Sequence, residues 1–138
     1  MRNAQRFNFT ESFDAFGVLD VLPLLPLSLT YREVTVEASG LLDTGASVNV
    51  LPYNLGIQLG AVWEEQTTAV TLAGNLATVE ARGLLVSAVI DNFNPVRLVF
   101  AWSASNDAPL LLGRMNFFLE FEVCFYRSQL AFEVRPKL

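Results

Sequence analysis

One short run in this 138-residue chain has residue types and spacing that could do chemistry: Leu41-Leu42-Asp43-Thr44-Gly45-Ala46-Ser47. An apolar, β-like stretch delivers an aspartate, and a turn of small residues follows at once. The glycine lets the backbone pass close to a neighbour. Thr44 sets a hydroxyl beside the carboxylate. Such a segment suits a carboxylate held at a strand end by backbone N–H groups. The same three residues, Asp43, Thr44 and Gly45, also suit an ordinary turn, where all three types are common. Their surroundings must therefore discriminate.

Further along, Ala73-Gly74-Asn75 separates two β-like runs, Thr67–Leu72 and Leu76–Ala81, and reads as a hairpin tip. Leu111-Leu112-Gly113-Arg114 then leads into a helix pattern over Met115–Glu122. Other catalytic chemistries are excluded by composition. The chain has no histidine, which removes Ser-His-Asp and Cys-His catalysis and histidine metal sites. The single cysteine, Cys124, can form neither an intrachain disulfide nor a cysteine zinc cluster, and it fits a reducing compartment such as the cytoplasm.

In content and chain order these segments resemble the retropepsin family, the single-domain aspartic proteases of retroviruses and their cellular relatives, over about residues 20 to 135. The resemblance implies an all-β fold: a closed acid-protease barrel with a flap hairpin and one short C-terminal helix. Carried over by position, Asp43 is similar to the catalytic aspartate and Thr44 to the residue whose hydroxyl bonds across the dimer. Gly45 is similar to the loop glycine near the shared water, and Ala73, Gly74 and Asn75 to the flap tip. Leu72, Leu76, Trp102 and the Ser103–Ala108 loop then fall where the walls of a peptide cleft are expected. Two features depart from the viral pattern: the tip holds one glycine, and the hairpin from Val123 to Val134 is longer.

The implied chemistry needs two carboxylates that share a proton. One acts as general base on water, and the other polarises the scissile carbonyl. Of five aspartates only Asp43 is followed by Thr-Gly or Ser-Gly, and the length leaves no room for a second lobe. The expectation is therefore a homodimeric endopeptidase with Asp43 supplied by each copy. It would take peptide or protein substrates and use no metal or organic cofactor. The alternative is a dimeric binding or scaffolding module that keeps the fold without hydrolysis.

Around these residues the pattern is β-rich. Val18–Leu22, Leu24–Tyr31, Glu33–Leu42, Gly83–Asp91 and Val96–Ser103 read as strands, with Pro23 and Pro26 suited to an edge. Pro52–Leu59 reads as a short helix ended by Gly60, and Val123–Tyr126 with Leu130–Val134 as a closing hairpin. Residues 1–17 form an arm or edge strand with four phenylalanines, ahead of a domain over 18–138.

Nine basic against fourteen acidic residues give a net charge of −5, which argues against nucleic acid. The greasiest stretch, Val18 to Leu29, is too short and too proline-broken to span a membrane, and no targeting signal is evident. An apolar fraction of 52% and a mean hydropathy of +0.38 exceed what a lone small domain needs, so an interface or cleft is expected to use the surplus.

Overall fold

A computed structural model describes residues 3–73 and 78–138, with the backbone alone at 73 and 78. The fold is mostly β, as the sequence leads one to expect. Alternation sets the first barrel strands. In β4 (Leu24–Tyr31) Leu25, Leu27 and Leu29 point inward and are buried. β4 pairs antiparallel with β5 (Val34–Leu42) along its whole length. Pro26 tolerates its place because β4 meets its second neighbour only at Ser28–Thr30, leaving the proline's other side free of a ladder.

After β5 the chain makes β6 (Asn49–Leu51), the helix α1 (Tyr53–Gln58), and the ribbon of β7 (Ala69–Ala73) and β8 (Thr78–Val89). Then come β9 (Val96–Ser103) and the two-residue β10 (Leu111–Leu112). The spatial order is β4-β5-β10-β6-β9-β8, and β8 returns to β4 through Ser28–Val89, Leu29–Ala88 and Thr30–Ser87. These six strands close a barrel, with β7 lying outside β8. Its interior is filled by Leu25, Leu29, Leu98, Phe100 and Leu112, all fully buried.

The far side holds the helix α2 (Phe117–Glu120) and a sheet of β1 (Gln5–Asn8), β12 (Ala131–Pro136) and β11 (Phe121–Tyr126), in the order β1-β12-β11. Phe7 and Phe9 of the N-terminal arm pack on Phe132, at ring distances of 5.4 and 5.9 Å. A separate hairpin joins β2 (Thr10–Phe13) to β3 (Leu19–Leu22), with Phe13 and Phe16 exposed. Its turn contains Gly17, which takes a positive φ of 76°.

Three elements differ from the sequence reading. The helix expected over Met115–Glu122 covers only Phe117–Glu120, because Phe121 turns into β11 to stack on Phe117 at 5.0 Å. The runs Leu76–Ala81 and Gly83–Asp91, read as separate, meet in one strand, β8, over the described residues Thr78–Val89, and the Gly83 N–H within it donates to the Thr68 carbonyl. β6 was not anticipated. Among the described residues no helix is long and apolar enough to cross a membrane.

Candidate active site

Asp43 is the first residue after β5, where the strand has just delivered Leu42 to the core. Its loop is held by β10, which inserts between β5 and β6. Leu111 and Leu112 run parallel to Leu41 and Leu42, and Leu111 also pairs with Val50. The Asp43 N–H donates to the Leu112 carbonyl at 3.0 Å, and the Ala46 N–H donates to the Asp43 carbonyl at 3.1 Å. The carboxylate itself accepts the Gly45 N–H at Oδ1, 2.9 Å away. A backbone donor thus fixes one carboxylate oxygen, and the half-buried side chain keeps an open face. Thr44 and Gly45 are exposed.

The second half of the loop rests on the segment after β10. Arg114 and Met115 donate their N–H groups to the Ala46 and Ser47 carbonyls, at 2.9 and 3.0 Å. The Arg114 guanidinium donates to the Thr44 carbonyl at 2.8 Å. Gly113 makes this crossing possible, because a Cβ there would collide with the Val48 and Ala46 carbonyl oxygens.

One buried amide ties the parts together. Asn49 is fully buried. Its Oδ1 accepts the Gly113 N–H at 2.8 Å, and its Nδ2 donates to the Val99 carbonyl and to Asn116 Oδ1, at 3.0 and 3.1 Å. Asn116 continues the network along β9. Its Oδ1 accepts the Val99 N–H, and its Nδ2 donates to the Arg97 carbonyl. Sequence reasoning missed both asparagines. A polar residue inside the apolar run Val48-Asn49-Val50-Leu51 was the available signal for Asn49.

Asp43 lines an open cleft of about 1150 Å³. One part of its lining comes from the region of the Asp43 loop, with Ala46, Val48 and Leu111; another comes from Val70, Leu72 and Val79 of the β7–β8 ribbon. Ser103, Ser105, Asp107 and Ala108 of the loop after β9 also line it. That loop is braced on α1, where the Tyr53 N–H donates to the Ser105 carbonyl and the Asn54 N–H to Asn106 Oδ1.

The structure brings Asp43, Gly45 and Leu72 of the sequence-named residues onto one cleft. Ala73 ends β7, paired with Thr78, and Gly74, Asn75 and Leu76 lie outside the described residues. Trp102 is a correction. It is fully buried, stacks on Tyr53 and meets Trp63 edge-on, and donates from Nε1 to the Tyr53 carbonyl. Its indole fills the space left by Gly56 of α1, so it builds the core behind the cleft and does not line it. Among the described residues no group of His, Cys, Asp and Glu gathers in a number that could hold a metal.

No protein-family profile matches the chain, and no curated protein matches it by sequence. The fold does have a solved counterpart. The crystal structure of a retropepsin-like aspartic protease from Rickettsia conorii aligns with a TM-score of 0.60, over 95% of this chain and 98% of that one, at 14% sequence identity. The chain therefore shares the fold of a retropepsin-like aspartic protease.

Proposed function

We propose that the chain is one half of a homodimeric aspartic endopeptidase, with Asp43 of each copy facing its counterpart across a two-fold axis. The observation that carries this reading is the placement of Asp43. It stands on a braced loop at the end of a barrel strand, opens onto a peptide-sized cleft, and does so in a fold shared with an aspartic protease.

In this reading a water sits between the two carboxylates. The ionised one takes a proton as the water oxygen attacks the peptide carbonyl carbon, and the protonated one donates to the carbonyl oxygen. A proton then passes to the leaving nitrogen as the C–N bond breaks. The Gly45 N–H on Oδ1 holds the carboxylate in place through these exchanges. An extended substrate strand lies in the cleft, and the β7–β8 ribbon covers it as a flap.

Three features support self-association. The Asp-Thr-Gly segment occurs once in the chain. Thr44 is exposed beside Asp43, where its hydroxyl can reach a partner copy. The β2–β3 hairpin is rooted beside the catalytic strand, where the Pro23 carbonyl accepts the Leu42 N–H, and it carries the exposed Phe13 and Phe16.

The test is hydrolysis of a denatured protein by the full chain across acid to neutral pH. Sedimentation at the assay concentration accompanies it. Cleavage is expected with a bell-shaped pH dependence, confined to concentrations where dimer is present, and lost in Asp43→Asn with an unchanged circular dichroism spectrum. Full activity in Asp43→Asn, or cleavage by a strictly monomeric sample, overturns the proposal. A folded dimer that cleaves nothing points to the scaffolding module instead.

A further inference from the structure

The cleft is apolar for most of its length but carries charge of one sign only. Its titratable lining residues are Asp43 and Asp107, and no lysine or arginine is among them. Asp107 is exposed, on the loop after β9. That loop is fixed locally: the Asp107 N–H donates to Ser105 Oγ at 3.0 Å, and the Ser105 N–H donates to Ser103 Oγ at 3.0 Å.

The backbone of Asp107 is thus held while its carboxylate is left without an ion-pair partner. The ion pairs among the described residues are Arg82–Glu80, Arg135–Glu122 and Lys137–Glu120, none of them at the cleft. Nor is Asp107 hydrogen-bonded to Asp43, so the two do not form a proton-sharing pair within one chain.

We infer that Asp107 is a specificity residue, and that the cleft selects extended peptides carrying a lysine or arginine side chain among apolar ones. This rests on the reading of the cleft as a peptide site. An extended peptide alternates its side chains. Those facing Val48, Val50, Leu72 and Leu111 meet apolar walls, and one that reaches the loop after β9 meets an uncompensated carboxylate. A cation there forms a charge-assisted contact, whereas an acidic side chain is repelled. A net charge of −5 adds a field of the same sign, which draws basic peptides in. In a two-fold dimer each half repeats the wall, so the preference applies on both sides of the scissile bond.

The test uses fluorescein-labelled octapeptides of apolar background, in which lysine, norleucine or glutamate is placed at each position in turn. Binding to the full-length Asp43→Asn chain, which holds peptide without turnover, is followed by fluorescence anisotropy at neutral pH and at low and high salt. Lysine at one or two positions is expected to bind about fivefold tighter than norleucine at low salt, with the advantage shrinking as salt rises. The lysine-to-norleucine ratio is expected to fall to about one in Asp43→Asn/Asp107→Asn, and glutamate becomes preferred in Asp43→Asn/Asp107→Lys.

Equal binding of lysine and norleucine peptides at every position overturns the inference. So does a lysine preference that survives Asp107→Asn, or no peptide binding at all. Because binding is read in a chain that cannot cleave, this result is separable from the endopeptidase reading, which stands or falls on hydrolysis by the unmodified chain.

Discussion

At Asn49 a single buried amide serves three partners on three segments: Gly113 after β10, Val99 on β9 and Asn116 before α2. Only one orientation of the amide fits, because the Gly113 N–H requires the oxygen and the Val99 carbonyl requires the nitrogen. In Asn49→Leu the Gly113 N–H is left buried without an acceptor, and the Asn116 Oδ1 loses a donor. A loss of about 1–3 kcal/mol of stability is expected in urea unfolding, together, in the proposed reading, with reduced peptidase activity, since the Asp43 loop rests on the same segment. An unchanged midpoint contradicts the role described. Asn49→Asp is expected to be no milder, because a carboxylate cannot donate to the Val99 carbonyl. At this scale the placement of Asp43 at a strand end was readable from the sequence, because the apolar run before it and the small-residue turn after it are contiguous neighbours. Asn49 and Asn116 were not, because their partners are brought together only by the closed barrel. Trp102 was misplaced for the same reason: position along the chain does not say which face of β9 a side chain takes.

β10 shows how much one short element can decide. It contributes only Leu111 and Leu112, yet it joins β5 to β6 and supplies the carbonyl that holds the Asp43 N–H. Gly113 is the condition for its close approach. Gly113→Ala forces a methyl group against two carbonyl oxygens, and a cost of about 1–3 kcal/mol is expected, with the Asp43 loop displaced. Thermal unfolding of the variant measures the first effect, and an NMR comparison of the Gly45 and Ala46 amides measures the second. An unmoved loop would show that the crossing has slack. Two of the longer strands, β4 and β9, have the bounds read from sequence, because alternation and flanking breakers are local signals. β6 and β10 were not legible as a pair, because strands of three and two residues carry no periodicity and owe their existence to non-local partners.

The whole molecule, in the proposed reading, is an enzyme only in duplicate. A mixed dimer of wild-type and Asp43→Asn chains has one competent carboxylate and is expected to be inactive. When the two forms are combined in equal amounts and left to exchange, random pairing reduces peptidase activity to about half that of the wild type alone. Titration of Asp43→Asn into a fixed amount of active enzyme checks this, and undiminished activity after full exchange contradicts it. Fold class was legible at this scale, because a β-rich pattern with few helices agreed with the fold that the resemblance of the Asp43 segment implied. The order in which the barrel closes was not, since β5 and β10 meet across a long stretch of chain.

That separation has a consequence in time. Thr44 and the Arg114 that braces it are 70 positions apart, and β10 lies just ahead of Arg114. During synthesis Asp43 leaves the ribosome long before the strand that seats it. Until β10 emerges, the Asp43 N–H has no Leu112 carbonyl to meet, and the loop has no Gly113 crossing to rest on. In the proposed reading the growing chain therefore carries its reactive residue unarmed, and competence arrives late in translation, when the segment from β10 onward is free to fold.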